Sequence, residues 1–139
     1  MIKTSIRTSW KENMAFVSRT GDHTIITDAS VEAGGDNTGA SPKSLMMTSL
    51  AGCTGIDVVL ILKKMRVEID DLIITVDAEL TEEVPSVYSS MHITYEFKGK
   101  GLNVDKLQRA IKLSQEKYCG VSIMYKQIME ITWEVKYQD

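Results

Sequence analysis

Apolar and polar positions alternate in short runs along the first 29 residues of the chain. Three segments, residues 2–10, 14–20 and 23–29, contain many β-branched side chains and are separated by the turn-like stretches "KEN" and "GD". A small and polar loop that contains three glycines follows at residues 30–41. The pattern predicts a meander of three short strands that leads into a loop.

A long apolar helix is predicted next, from Pro42 to Arg66. Ser41 and Pro42 fit the N-cap and the first position of a helix. Apolar residues then cover nearly the whole circumference, which is typical of a helix that is buried on most sides, so we expect it to run through the core. Gly52 and Gly55 each cost about 1 kcal/mol of helix stability relative to alanine. We therefore expect other parts of the chain to lie against this segment.

The rest of the chain predicts a hairpin, an amphipathic second helix and a last strand, at residues 72–83 with 87–99, at 103–118 and at 128–137. Pro85 lies in the hairpin turn, and Gly120 is expected to stop the second helix because glycine tolerates the left-handed conformation. Strands are grouped and do not strictly alternate with helices. This order predicts one α+β domain over residues 1–139 with a mostly antiparallel sheet, and not a doubly wound nucleotide-binding fold.

Charge and terminal pattern exclude several classes of partner. The net charge is -3 and charges of both signs are scattered, so no basic stripe is available to neutralise phosphates, and nucleic acid is not an expected partner. The N-terminal segment lacks the pattern of a signal peptide. Lys43 and Lys63 bracket the longest apolar run, which we expect to fall short of a membrane span of roughly 18 residues. The expected location is therefore the cytoplasm, without membrane contact.

Most common catalytic patterns are absent, which leaves the two cysteines. The chain has no phosphate-binding loop and no serine elbow, and neither His23 nor His92 has a partner at metal-ligand spacing, so we expect surface histidines, no metal and no cofactor. In the cytoplasm two cysteines are more often thiols than a structural disulfide. Packing alone is the simplest explanation for Cys53 and Cys119, since free cysteine is often a small buried apolar residue.

Three local features favour chemistry over packing. Small residues flank Cys53 and leave room beside its sulfur, Cys119 stands at a helix end, and each cysteine belongs to a different predicted helix. The two thiols would meet if these helices pack together. An ionised thiol can attack a peroxide, and a second thiol can then condense with the sulfenic acid and prevent irreversible oxidation.

Two segments resemble the cysteine motifs of the OsmC/Ohr family, the osmotically inducible and organic hydroperoxide resistance proteins. "SPKSLMMTSLAGCTGIDVVLILKK" resembles the central helix of that family, and "LSQEKYCGVSIM" resembles its second motif, in which a helix ends at the other cysteine. The resemblance covers essentially the whole chain. It is strongest to the YhfA-like branch, which carries similar "GCxxIDVVxIL" and "EKYC" segments.

The resemblance implies an OsmC-like α+β fold in an intertwined homodimer, with two long helices at its centre and sheets outside. It also implies reduction of small organic hydroperoxides, with a dithiol reductant that recycles the enzyme. By the same resemblance Cys53 matches the peroxidatic cysteine, Cys119 the resolving cysteine that closes an intramolecular disulfide, and Arg19 the arginine that stabilises the thiolate.

The chain departs from the family pattern directly after the proline that opens the central helix. Characterised members have there a glutamate that holds the arginine over the thiolate, whereas this chain has Lys43 and Ser44. Glu32 or Asp57 could take over that role, although a carboxylate near the sulfur raises the pKa of the thiol. Lys43 could instead supply positive charge directly, and Asp57 could simply be a packing or capping residue.

Three functional hypotheses follow from the sequence. The first is a thiol-dependent peroxidase. The second is a catalytically weak OsmC-like dimer that binds a small molecule or senses redox state, which the absent glutamate favours. The third is a protein of unrelated function with two packed thiols, which predicts that Cys53 and Cys119 lie too far apart for a disulfide.

Overall fold

The computed structural model describes all 139 residues and has the predicted α+β class and strand order, with one additional helix before the last strand. The elements are β1 (Arg7–Glu12), β2 (Ala15–Thr20), β3 (His23–Thr27), α1 (Leu45–Lys64), β4 (Asp71–Leu80), β5 (Tyr88–Lys98), α2 (Val104–Leu113), the π-helical turn Ser114–Tyr118, α3 (Gly120–Tyr125) and β6 (Glu130–Gln138). The chain divides into two compact units, Met1–Met46 and Met47–Asp139.

The first unit is the predicted meander, with β2 paired antiparallel to both β1 and β3. The loop after β3 is organised around the buried Asp28, which accepts hydrogen bonds from the hydroxyl and the backbone N–H of Thr38 at 2.6 and 3.0 Å. These bonds hold the pKa of the Asp28 carboxyl below its ordinary value. A Cβ at Gly35 would lie 2.2 Å from the carbonyl oxygen of Ala29, so the loop closes only with glycine at that position.

The second unit holds a three-stranded sheet in the order β4-β5-β6. β4 and β5 form the predicted antiparallel hairpin, whereas β6 pairs with β5 in parallel because the helical segment between them carries the chain back along the sheet. β5 is the central strand and contributes much of the core. The fully buried side chains come from β5, α1 and α2, and include Tyr95, Phe97, Ile93, Met91, Leu50, Val58, Leu62, Leu107 and Ile111.

Helix α1 is buried along one stripe only, so the prediction that it is buried on most sides is wrong for the single chain. Every fourth residue is buried, namely Leu50, Thr54, Val58 and Leu62. On the other side Ile56 is 70% exposed and Leu60 is 50% exposed. The β4-β5-β6 sheet and α2 cover only one side of the helix, and the apolar residues on its other side face outward.

The ends of α1 also differ from the prediction. Pro42–Ser44 form a turn with a hydrogen bond from the Ser44 N–H to the Ser41 carbonyl, and the helix begins at Leu45. At the other end Arg66 takes a left-handed conformation with φ of 59°. Hydrogen bonds from the N–H groups of residues 66 and 67 back to the carbonyls of residues 63 and 62 close a Schellman motif there.

Helix α1 meets the length and composition of a membrane span, with 20 residues in the helix and a mean hydropathy of 1.9 over 18 of them. The expectation that no apolar segment approaches such a length is therefore wrong, because Asp57 is the one charged residue between Leu45 and Leu62. The core helix of a water-soluble protein meets the same criterion. Here the helix carries Asp57 near its middle, and Thr54 of its buried stripe is hydrogen-bonded to Tyr95 of the sheet.

The predicted second helix, residues 103–118, is α2 followed by the π-helical turn, and the unpredicted α3 comes after it. Asn103 caps α2 through its side chain, which accepts a hydrogen bond from the Lys106 N–H. The helix then widens into the π-helical turn, where the Cys119 N–H bonds to the Ser114 carbonyl at 2.7 Å. The sequence predicts that Gly120 stops the second helix. In the structure the helical run already ends at Tyr118, and Gly120 begins α3. A change from 3.6-residue periodicity to a wider turn leaves no clear hydrophobic pattern from which to predict it.

Candidate active site

Cys53, Asp57 and Cys119 form one cluster, in which the two sulfurs and a carboxylate oxygen all lie within 4.8 Å of one another. Cys53 and Asp57 are four residues apart on α1 and therefore lie on the same helix face. Cys119 stands between the π-helical turn and α3. The prediction that the two thiols meet is confirmed.

The two thiols differ in their exposure to solvent. Both cysteines are free thiols, Cys53 half-buried and Cys119 fully buried. A disulfide requires a sulfur separation near 2.05 Å, so the side chains must rotate toward each other to form one. A reagent in solution can therefore reach Cys53 more easily than Cys119.

The Cys119 thiol is held in its protonated form. Burial of the sulfur raises the pKa of Cys119 from 9.0 to about 11, because the thiolate loses its hydration. The Ser122 N–H donates a hydrogen bond to the sulfur at 3.3 Å and lowers this pKa, whereas the neighbouring Cys53 and Asp57 raise it. At neutral pH Cys119 is consequently a thiol.

A buried chain of hydrogen bonds runs from the sheet to Asp57. Ser114 donates its single hydroxyl hydrogen to a carboxylate oxygen of Asp57 at 3.0 Å. The bond between Thr54 and Ser114 at 2.8 Å must therefore use the hydrogen of Thr54, and the bond between Tyr95 and Thr54 at 2.6 Å the hydrogen of Tyr95. The Gln115 amide donates to the Tyr95 hydroxyl at 2.9 Å. Every donor in this chain points toward the carboxylate.

The same chain joins three elements beside the cluster. Thr54 lies on α1, Tyr95 on β5, and Ser114 with Gln115 on the π-helical turn. Ser122 of α3 donates to the Gln115 side-chain oxygen, so the fourth element is attached as well. Sequence reasoning missed this network, because its members are separated by up to 61 residues and no local pattern relates them.

A cavity of about 430 Å³ opens beside the cluster. It is lined by Asp57, Leu60, Ile61, Lys64, Met65, Arg109, Leu113 and Tyr118. A larger cavity of about 590 Å³ near the C-terminal end of α1 includes no residue of the cluster. The smaller cavity is therefore the one that brings an apolar surface and two cationic side chains next to the carboxylate.

The other candidate residues belong to the first unit of the chain. Arg19 is exposed on β2 of the first unit, and Glu32 is exposed in the loop of that unit. Lys43 stands in the turn before α1. The role of Arg19 as the arginine that stabilises the thiolate stays a prediction.

The two histidines lie on strands, as expected. His23 is exposed on β3, and His92 on β5 makes a hydrogen bond with Thr132. Neither belongs to the cluster.

Comparisons with known proteins agree on one family. The profile described as "OsmC-like protein" matches residues 34–134. The chain is 32% identical to protein YhfA of Escherichia coli K12 over 127 residues, which cover 91% of this chain and 92% of that protein. A hypothetical protein of Aquifex aeolicus VF5 of known structure is 33% identical, with a TM-score of 0.83 over the full length of both chains.

A solved structure of a protein that is named for its function shares the fold at lower sequence identity. The organic hydroperoxide resistance protein OhrB of Bacillus subtilis superposes with a TM-score of 0.69 and 18% identity, over 97% of this chain and 98% of that one. This likeness establishes a common fold.

Replacement of Thr54 by valine tests the hydrogen-bond chain. The substitution keeps the side-chain shape but leaves the Tyr95 and Ser114 hydroxyls each without one buried partner, so we expect the free energy of unfolding to fall by about 1–3 kcal/mol in urea denaturation. Thr48→Val, at an exposed position of the same helix, should change it by less than about 0.5 kcal/mol. Equal losses in the two variants would contradict the role of the chain.

The raised pKa of Cys119 predicts a late thiol ionisation. Ultraviolet titration of the reduced protein should show a thiolate step near pH 11 that Cys119→Ser removes and Cys53→Ser retains. Because the pKa of Cys119 is higher in the folded than in the unfolded chain, its contribution to the free energy of unfolding is complete below about pH 9. This contribution is lost as the pH rises toward 11. Ionisation of Cys119 below pH 9 in the folded protein would contradict its burial as the dominant cause.

Proposed function

The chain belongs to the OsmC-like family, and from this premise we propose that it is a thiol-dependent peroxidase that reduces organic hydroperoxides. The observation that carries the proposal is the pair of free thiols within 4.8 Å, one half-buried and one fully buried. The names of its structural relatives support the substrate class, since they include organic hydroperoxide resistance proteins of the same fold.

The exposure of each thiol supports its role in the reaction. The Cys53 thiolate attacks the outer peroxide oxygen, the O–O bond breaks, and the alkoxide takes up a proton and leaves as the alcohol. Cys53 is then a sulfenic acid. Cys119 attacks its sulfur, hydroxide leaves as water, and a disulfide remains. A dithiol reductant transfers two electrons and two protons to that disulfide and restores both thiols.

Asp57 is positioned to move the proton of the resolving step. Cys119 is a thiol at neutral pH and must lose its proton as it attacks, while the departing hydroxide must gain one. The Asp57 carboxylate lies within 4.8 Å of both sulfurs and is held by Ser114. We assign it the transfer of this proton. Lys64 and Arg109 line the adjoining cavity and place positive charge beside the carboxylate.

Hydroperoxide consumption by the purified protein tests the proposal. With dithiothreitol and cumene hydroperoxide, wild-type protein and the surface variant Thr48→Val should turn over. Cys53→Ser should abolish turnover because the attacking sulfur is gone. Cys119→Ser should leave Cys53 as sulfinic or sulfonic acid, detected by intact mass, because nothing traps the sulfenic acid. Retained activity in Cys53→Ser, or no turnover with several organic hydroperoxides, would refute the proposal.

A second function is favoured by the residues that follow the helix-opening proline. Lys43 and Ser44 stand where peroxidases of the family carry a carboxylate, and an apolar cavity adjoins Asp57. A dimer that binds a small apolar molecule or senses redox state would use the cavity and would not require the carboxylate, because it would not turn over peroxide. Saturable binding of an apolar ligand in that cavity, without peroxide consumption, would favour this function.

A homodimer is the proposed assembly, in the cytoplasm. The outward side of α1 carries Ile56, Val59 and Leu60, which are 70%, 40% and 50% exposed. Together with Gly55 and Lys63 they line a shallow apolar cavity of about 420 Å³. A contiguous apolar helix face of this kind marks an interaction surface. We assign it to a second copy of the chain, because the family resemblance implies an intertwined dimer with this helix at its centre.

Replacement of Ile56 by glutamate tests the assembly. Sedimentation should give wild-type protein a mass twice the chain mass of 15.5 kDa, and Ile56→Glu should shift it toward the monomer because a buried charge would be left unpaired. Val84→Glu, at an apolar residue that is 97% exposed, is the matched control and should remain dimeric. A wild-type mass of 15.5 kDa at micromolar concentration would rule out the dimer.

A further inference from the structure

The thiol cluster has the donor set of a metal site as well as of a redox pair. We propose that Cys53, Asp57 and Cys119 of the reduced protein together bind one thiophilic divalent cation of the zinc class, through one carboxylate oxygen and two thiolate sulfurs whose protons are released to solvent as the ion binds. The expectation of no metal site was based on the spacing of the histidines along the sequence. Here the ligands come from α1 and from the start of α3, which no local motif connects.

The distances in the cluster suit a single ion. In a tetrahedral zinc site with bonds of about 2.3 Å to sulfur and about 2.1 Å to oxygen, the ligand atoms lie roughly 3.6–3.8 Å from one another. The three atoms here lie within 4.8 Å of one another, so side-chain rotations that move each atom by about 1 Å would bring them to the separations of a zinc site. A disulfide needs a much closer approach, to about 2.05 Å. Metal binding therefore requires less movement than disulfide formation.

Two of the three ligands are already oriented by hydrogen bonds. Ser114 donates to one oxygen of Asp57, which leaves the other oxygen free for a metal. The Ser122 N–H donates to the Cys119 sulfur and fixes its direction. Such outer contacts hold ligands in place and raise metal affinity in characterised sites. The half-buried Cys53 provides the route by which an ion reaches the cluster.

The ligand types select the class of cation. Two thiolates favour zinc and related soft ions and disfavour magnesium and calcium, which take oxygen ligands. Three protein ligands leave a fourth position of a tetrahedral ion for water, as in zinc sites that are not purely structural. The three ionised ligands carry one negative charge more than the ion neutralises, and Lys64 and Arg109 line the cavity beside Asp57.

Metal binding and thiol chemistry exclude each other at this cluster. An ion held by both sulfurs occupies the electron pairs with which Cys53 would attack a peroxide and Cys119 would resolve the sulfenic acid. A bound ion is thus a reversible block on both thiols, and the block is removed by a chelator. The binding itself depends only on the reduced side chains and not on peroxidase activity.

Titration of the reduced, chelator-treated protein with Cd²⁺ tests the site directly. Thiolate-to-cadmium charge-transfer absorption should saturate at one ion per chain, and Cys53→Ser or Cys119→Ser should each lose about half of its intensity. Asp57→Asn should weaken binding at least about tenfold, measured for Zn²⁺ by competition with a chromophoric chelator. Asp77→Asn is the matched control, since this exposed carboxylate on β4 lies away from the cluster, and it should bind as wild type does.

Protection from alkylation gives a second readout. Saturating Zn²⁺ should slow iodoacetamide modification of both cysteines, and Asp57→Asn should need a correspondingly higher Zn²⁺ concentration. Equal affinities of wild type and Asp57→Asn would overturn the three-ligand site, as would unchanged cadmium absorption in the Cys53→Ser, Cys119→Ser double variant. Both measurements omit peroxide, so a protein that binds the ion but fails to consume hydroperoxide would contradict only the proposed enzyme activity.

Discussion

The buried hydrogen-bond chain from Gln115 to Asp57 is the constraint on which the geometry of the site depends. Each hydroxyl along it, from Tyr95 through Thr54 to Ser114, has one hydrogen, so the carboxylate at its end fixes the direction of every bond. Bonds aligned in this way strengthen one another in a low-dielectric interior. The chain attaches α1 to the sheet and to the π-helical turn, and so sets Cys53 opposite Cys119.

The π-helical turn is the local feature that makes this attachment possible. The wider turn places two consecutive residues, Ser114 and Gln115, inside the protein, and the Cys119 N–H closes it on the Ser114 carbonyl. The side chain of Lys126, directly after α3, donates a hydrogen bond to the Gln115 carbonyl. Cys119 is thereby buried as a thiol, while Cys53 remains accessible one helical turn before Asp57. Because of this difference in burial, a reagent from solution reacts first with Cys53, and Cys119 can react only afterwards.

Local patterns along the sequence were sufficient for the six strands, the first two helices and the two cysteines. The meander, the apolar α1 and the hairpin follow from alternation and turn residues, and the small residues around Cys53 indicated space beside its sulfur. Of the two glycines expected to lie against other parts of the chain, Gly55 does so, because a Cβ there would come within 3.1 Å of the Ile74 side chain, whereas a Cβ at Gly52 would meet no atom within 4 Å. The importance of Thr54 was hidden, since its partners are 41 and 60 residues away.

Other features depend on non-local packing or on backbone geometry that side-chain patterns do not encode. Gly120 begins a helix because Cys119 before it is extended and caps that helix, its sulfur accepting a hydrogen bond from the Ser122 N–H. The outward side of α1 is apolar, which is the same pattern that a helix covered on all sides would have. Only the structure distinguishes the two, by the exposure of Ile56.

The proposed reaction depends on cooperation between the two thiols, and intact-mass analysis of the reduced protein after one equivalent of an organic hydroperoxide tests this cooperation most directly. We expect the loss of two hydrogen atoms per chain and a single disulfide between the Cys53 and Cys119 peptides. Added oxygen on Cys53, with Cys119 still open to alkylation after unfolding, would contradict it.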